Sequence, residues 1–432
     1  MSLPRRIKID SPQVLDGTIR APGSKSYTHR AYLTALLKGK GTIYHPLISE
    51  DTEATRELLT DFHSRVRPIS GGFEIESDDV PPTIGSDRLN AGESGTLFRF
   101  LIPLCSFLSG PGSVTLTGEG SLRTRDHSES VDSIKQMDRR IEYLDEPGRA
   151  PLKIFPGQPL PDSPIQLEAY TTSQHLSGWM LTLATHDGGL IILDRPPVSA
   201  PYVKMTAEVL KDAGCDVDIH QGTRLNVGTF SSDEFTYDIP GDFSSSAFFL
   251  VGAAITGGSV TVNGLRKNST QADRKILKIL RGIGAEITWK DKRSVSVSGV
   301  EGYSGFTVDA SNCPDLVPIL AVLGSFARGT VVIENISHLT NKESNRIEIP
   351  CRELGELGVN TSFGDDNIVI EPTPSNYTGG QVEAHNDHRV AMALSIFGCR
   401  VGNLTVEGAD CVAKSYPQFY QDLSDLGCEW TR

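Results

Sequence analysis

A short pattern recurs six times along this chain: a glycine, one small polar or apolar residue, then the alternating apolar residues of a strand. It reads KGKGTI at Lys38–Ile43, SGPGSVTL at Ser109–Leu116 and HDGGLIIL at His186–Leu193. It returns as TGGSVTV at Thr256–Val262, ARGTVVI at Ala327–Ile333 and RVGNLTV at Arg400–Val406. The aligned glycines are Gly41, Gly112, Gly189, Gly258, Gly329 and Gly402, spaced 71, 77, 69, 71 and 73 residues apart. So regular a period across 432 residues means one supersecondary unit used six times.

The flanks of each glycine agree. Upstream lies an apolar helical stretch: Ala31–Leu37, Leu97–Leu108, Leu176–Ala184, Ala247–Ala254, Leu316–Phe326 and Val390–Phe397. These are apolar all round, which predicts buried helices rather than surface ones. Downstream lies an amphipathic stretch, as in Ala200–Ala213, Gln271–Ile283, Glu343–Leu357 and Ser415–Leu426. A glycine stops each of these four helices and a strand follows. Each unit therefore reads as strand, helix, strand, helix and further strands, an α/β class with the strand order open. A chain this long exceeds one ordinary core. Pro22-Gly23 and Pro240-Gly241 offer two bends. They divide the chain into an inserted domain, 23–240, and a discontinuous one, 1–22 plus 241–432, with three units in each.

Composition narrows the function. The formal net charge is -13, from 41 Lys and Arg against 54 Asp and Glu, which disfavours a nucleic-acid partner. No apolar run reaches the roughly 18–20 residues of a membrane span. The seven cysteines are scattered without a C-x-x-C pair. That predicts free thiols in a reducing cytoplasm and no zinc site.

Polar segments lead into each apolar helix: GSKSYTHR (Gly23–Arg30), GESGT (Gly92–Thr96), TTSQ (Thr171–Gln174), GDFSSS (Gly241–Ser246), ASNCPD (Ala310–Asp315) and HNDHR (His385–Arg389). Helix capping accounts for the Ser, Thr, Asp and Asn. It does not call for Lys25, Arg30, Gln174, His388 or Arg389. Stacked units bring six helix N-termini to one region, and free N–H groups and helix dipoles make such a region anion-seeking. Lys25, Arg125, Arg346, Arg389 and Lys414 take corresponding places, which suits a ligand with several negative charges. The Gly23–Arg30 segment lacks the first glycine of a Walker loop, and no dinucleotide fingerprint follows a strand.

Together these motifs resemble the EPSP synthase family of enolpyruvyl transferases. The resemblance runs nearly end to end. It rests on PGSKSxxxR (Pro22–Arg30), SGTxxR (Ser94–Arg99), SQ (Ser173, Gln174), SxPY (Ser199–Tyr202), GDxSS (Gly241–Ser245), PD (Pro314, Asp315), KExxR (Lys342–Arg346), NDHRxAM (Asn386–Met392) and AKxxP (Ala413–Pro417). It implies a two-domain α/β fold whose helix N-termini face an interdomain cleft. It implies transfer of an enolpyruvyl group from phosphoenolpyruvate to the 5-hydroxyl of shikimate 3-phosphate, through a tetrahedral ketal. No metal or organic cofactor is implied, and a cytoplasmic monomer is expected.

Residue by residue, the resemblance assigns Lys25, Gly95, Arg125, Gln174, Arg346, Arg389 and Lys414 to phosphoenolpyruvate. It assigns Lys25, Ser26, Arg30, Thr172, Ser173, Gln174, Ser199, Tyr202, Asp315, His338 and Lys342 to shikimate 3-phosphate. Asp315 would act on the shikimate hydroxyl and Glu343 on the methylene carbon, with Lys25 stabilising the intermediate. Four residues depart from the family pattern: Glu93, Asp126, His338 and Asn345. Glu93 must turn from the anions or meet a cation, and stays outside the expected binding set. Two rival readings are enolpyruvyl transfer onto a UDP-sugar and a non-catalytic anion-binding repeat protein. The Arg123–Asp126 loop lacks the cysteine usual in the former.

Overall fold

The computed structural model describes residues 3–161, 164–168, 173–231 and 235–432. The chain forms two compact units: residues up to Pro22 with Pro240–Arg432, and Gly23–Ile239. Each has its own apolar core. Among the described residues no helix is long and apolar enough to cross a membrane.

Six buried helices follow the six apolar stretches. In Gly23–Ile239 they are α1 (Lys25–Lys38), α2 (Gly95–Phe107) and α3 (Gln174–Thr185). In the discontinuous unit they are α4 (Phe243–Thr256), α5 (Val317–Ser325) and α6 (His388–Val401). Every residue of α4 is buried, as expected of a helix with no polar face. Within each unit the three buried helices contact one another. Burying each large apolar side chain contributes about 1.5–3 kcal/mol, so these three-helix centres dominate each core.

The strand order left open by the sequence is the same in five sheets. In each, a strand that leads into a buried helix pairs in parallel with a strand that follows one, and an antiparallel hairpin completes four strands. An example is Arg88–Asn90, Val114–Thr117, Leu152–Ile154 and Ile141–Tyr143. The two strands at the junctions are exchanged. Gly17–Arg20 leads into α1 but pairs with Ser259–Asn263 in the discontinuous unit. Thr236–Asp238 leads into α4 but pairs with Thr42–Tyr44 in the other. The sixth sheet is closed by the chain start: Arg6–Ile9 pairs antiparallel with Leu404–Glu407, and Lys8 bridges Thr431.

Two sequence expectations need correction. The amphipathic helix expected over Glu343–Leu357 spans Glu348–Glu356. The Asn345 side chain accepts from the N–H groups of Ile347 and Glu348, so the helix starts there and Lys342 and Glu343 lie on the approach. The helix expected over Ser415–Leu426 spans Phe419–Asp425, because Pro417 keeps Tyr416 out of helical backbone. The junction glycines are tightly packed. Neither Gly23 nor Gly241 has positive φ. Both are there because nothing larger fits: a Cβ on Gly23 would lie 2.4 Å from the His45 carbonyl oxygen, and one on Gly241 2.8 Å from Ala21 Cβ.

This geometry separates glycines that packing demands from one it does not. Gly241→Ala should lower stability by about 2 kcal/mol, read as a fall in thermal midpoint. A Cβ on Gly112 meets nothing within 4 Å, so Gly112→Ala should change stability by less than about 0.5 kcal/mol.

Candidate active site

In the Gly23–Ile239 unit the candidate polar residues cluster around the starts of α1, α2 and α3. Lys25, in the first turn of α1, donates to Asp51 Oδ2 at 2.9 Å. Asp51 sits in the helix Glu50–Leu58, whose Ser49 and Thr52 form a reciprocal cap. At the start of α2 the Ser94 hydroxyl accepts from the Leu97 N–H, leaving the Gly95 end open. A Cβ on Gly95 would lie 2.9 Å from Arg125 Nη1 and 3.2 Å from Arg99 Nη1. Gln174, first residue of α3, accepts from Arg99 Nη1 at 2.6 Å and donates to Thr96 Oγ1 at 2.9 Å. Gly95, Thr96, Arg99, Arg125 and Gln174 are thus one connected group with N–H donors converging on a helix N-terminus, a ready anion site.

Arg30 is turned inward. It is 1% exposed. Nε donates to Thr206 Oγ1 at 2.7 Å, Nη1 to the Ser26 carbonyl at 2.8 Å, and Nη2 to the Tyr202 carbonyl at 3.1 Å. Burial pulls its pKa down to about 10. Its geometry ties α1 to the helix Ala200–Asp212 and fixes the backbone of Ser26 and Tyr202. Ser199, which caps that helix, stands at φ 58 and ψ 38. Left-handed backbone is uncommon for serine and concentrates at functional positions. Ser173 is buried at the start of α3; Thr172 lies outside the described residues. Asp126 is occupied locally, accepting from the N–H and hydroxyl of Ser128.

In the discontinuous unit Arg346 is the hub. Its side chain is 2% exposed. Nη1 meets Asp315 Oδ1 at 2.9 Å, Nη2 meets Glu343 Oε2 at 2.6 Å, and Nε meets Asp387 Oδ2 at 2.8 Å. Burial opposes the charge, but Asp387, Glu343 and Asp315 outweigh it and push the Arg346 pKa up. Asp315 reaches a second guanidinium, Arg389 Nη2, through its other oxygen at 2.8 Å. Asp387 also caps α6, accepting from the Arg389 N–H at 2.9 Å. Lys414 Nζ donates to the Asn386 carbonyl at 3.0 Å. Asp315 and Glu343 keep 20% and 15% of their side chains exposed, while Asp387 is fully buried.

His338 and Lys342 precede this hub. Burial, then the Lys342 charge, lowers the His338 pKa to about 4, so its imidazole is neutral at pH 7. Its Nε2 is buried with no protein partner, and a neutral ring can donate from that position. Three site residues escaped the sequence reading: Asp51, Arg99 and Asp387. Asp387 stood in a quoted motif, but its capping position sufficed to explain it; Arg99 likewise stood in SGTxxR without a role.

The fold is that of the enolpyruvyl transferases. The solved enolpyruvyl transferase NikO from Streptomyces tendae superposes with a TM-score of 0.75, covering 99% of this chain and 98% of that one, at 16% identity. That is a likeness of fold. EPSP synthase from Acinetobacter baumannii superposes with a TM-score of 0.82 at 26% identity, covering 99% of this chain and all of that one. Residues 9–423 match the EPSP synthase (3-phosphoshikimate 1-carboxyvinyltransferase) family. The chain is 34% identical to the 3-phosphoshikimate 1-carboxyvinyltransferase of Natronomonas pharaonis, over 96% of this chain and 97% of that one. It is 35% identical to that of Methanosarcina acetivorans, over 98% of each. The chain belongs to this family.

One buried acid gives the site unit a pH signature. Asp273 accepts from the Ser244 hydroxyl. Burial, then the nearby Asp315 charge, pushes its pKa up to about 7 from an ordinary 3.8. The folded chain thus holds a proton that the unfolded chain has lost, and stability falls as pH rises between those values. Asp273→Asn should abolish this fall. The variant's advantage in thermal midpoint should grow from about pH 4 to about pH 7 and then level off.

Proposed function

We propose that these two residue sets together carry the family's reaction, enolpyruvyl transfer from phosphoenolpyruvate to the 5-hydroxyl of shikimate 3-phosphate. The observation that carries this reading is the pairing of two partly exposed carboxylates, Asp315 and Glu343, with the buried guanidinium of Arg346. Simple anion binding needs the cations, not two acids held at hydrogen-bond distance from one of them.

The substrates bring two phosphates and two carboxylates. Each pair of unit charges about 4 Å apart repels by about 4 kcal/mol at an effective dielectric of 20, so fixed cations are required. Lys25, Gly95, Arg125, Gln174, Arg346, Arg389 and Lys414 take phosphoenolpyruvate. Ser26, Ser173, Ser199, Tyr202, His338 and Lys342 hold shikimate 3-phosphate, with Arg30 fixing the backbone of Ser26 and Tyr202.

Asp315 then accepts the proton of the 5-hydroxyl as its oxygen attacks C2 of phosphoenolpyruvate. Glu343 delivers a proton to the methylene carbon, giving the ketal. Loss of phosphate, assisted by Lys25, carries away the proton that Asp315 took, and return of a methyl proton to Glu343 gives the enol ether. Binding and basicity are coupled. An anion that draws Arg346 and Arg389 away from Asp315 leaves its carboxylate less stabilised and more basic when the hydroxyl arrives. We place the enzyme in the cytoplasm as a monomer; its seven cysteines are free and buried.

Phosphate release from phosphoenolpyruvate tests the reading. It should depend on shikimate 3-phosphate, and a UDP-sugar acceptor should not replace it. Asp315→Asn and Glu343→Gln should each lower kcat by about 100-fold or more with little change in substrate Kd. Ligand binding without phosphate release would leave only an anion-binding protein. Ligand-driven closure is a separate expectation, argued from charge alone. Shikimate 3-phosphate should therefore reduce the radius of gyration in solution scattering, and identical profiles would refute closure.

A further inference from the structure

Glu93 stands two residues before Gly95, which the reading above assigns to phosphoenolpyruvate; the free N–H groups at that helix end suit its phosphate. A carboxylate there is unfavourable on charge alone, since it repels the incoming anion. Its geometry gives it another task. Glu93 Oε2 accepts from the N–H of Ser121 at 3.3 Å and from its hydroxyl at 3.2 Å. The same hydroxyl accepts from Arg125 Nη2 at 2.8 Å. The single hydroxyl proton of Ser121 points to Glu93 and its lone pair to Arg125, so the chain Arg125–Ser121–Glu93 has one direction. Successive bonds in such a chain strengthen each other.

The turn is shaped around this carboxyl. Gly120 stands at φ 48, and a Cβ there would lie 2.5 Å from Glu93 Cδ. Only glycine offers both that backbone and that space. Arg125 follows directly after the Gly120–Thr124 turn, and its side chain is almost wholly buried. The relay engages Nη2, while Nη1 is the guanidinium nitrogen that faces Gly95. Its charge thus fixes the guanidinium from behind without occupying the face turned to α2.

We propose that Glu93 is a positioning residue for the phosphoenolpyruvate site: through Ser121 it holds Arg125 so that Nη1 stays aimed at the N-terminus of α2. This rests on the reading that this helix end takes the phosphate of phosphoenolpyruvate. It converts a charge that would repel the substrate into one that orders the group binding it.

The test uses the full chain and steady-state phosphate release at saturating shikimate 3-phosphate. Glu93→Ala and Ser121→Ala should each raise KM for phosphoenolpyruvate about tenfold with kcat within about twofold. The double variant should add nothing beyond either single, because both break one chain. Glu93→Gln keeps an oxygen acceptor for Ser121 and should stay within about threefold of the parent KM. KM for shikimate 3-phosphate should not move. Unchanged KM for phosphoenolpyruvate in both alanine variants would overturn the proposal. So would a fall in that KM on removing Glu93, which would show that repulsion dominates, or fully additive effects. Should Glu93→Ala fail to fold, Ser121→Ala and Glu93→Gln decide alone. A parent chain with no shikimate 3-phosphate-dependent release would refute the functional reading instead. An active parent with indifferent variants refutes only this inference.

Discussion

The buried guanidinium of Arg346 is the interaction on which the discontinuous unit's site depends. An isolated buried charge is very costly, and Arg cannot shed its proton. Its fork must be met by acceptors, and Asp315, Glu343 and Asp387 meet it from three directions. Each carboxylate comes from a different piece of chain: the turn before α5, the approach to the Glu348–Glu356 helix, and the cap of α6. One side chain therefore locks three segments, and the two proposed acids are oriented as a consequence. Truncating one partner of such a set typically costs 3–5 kcal/mol, because the remaining charges stay buried.

The Gly23–Ile239 unit solves the same problem differently. Its cations are held by neutral acceptors or by single carboxylates. Gln174 takes Arg99, Ser121 takes Arg125, and Asp51 takes Lys25. Arg30 is satisfied by two hydroxyls and two backbone carbonyls. Both arrangements share one principle: donors are held by protein acceptors before any substrate arrives.

Much of this was legible in the sequence because it is local or periodic. The 72-residue repeat and the six apolar helices rest on patterns within a few turns of chain. These polar residues were legible because capping leaves Lys25, Gln174 and Arg389 unexplained. The exchange of Gly17–Arg20 and Thr236–Asp238 between sheets was not. Parallel pairing joins strands far apart in sequence, and either partner suits an apolar edge strand equally. The start of the Glu348–Glu356 helix was missed because Asn345 caps it from inside a helical pattern. Asp51 and Asp387 were missed because helix starts favour aspartate whether or not it also holds a cation. Nor does sequence tell an outward arginine from an inward one, and Arg30 is inward.

The placement of Asp315 between Arg346 and Arg389 also bears on which anions the site admits. A ligand with a single negative charge gains one set of charge-assisted bonds but displaces another of similar strength, since the guanidinium groups already face carboxylates. The exchange is close to neutral, and loss of translational freedom then opposes binding. A ligand with several anionic groups escapes this balance. In the proposed site its first group exchanges with Asp315, while its others add bonds to further donors of the same unit, such as Lys414. A singly charged anion therefore gains little at Arg346 in the proposed site. The same exchange frees Asp315 only when the correct polyanion is in place, which ties the basicity of the proposed base to occupancy of the site.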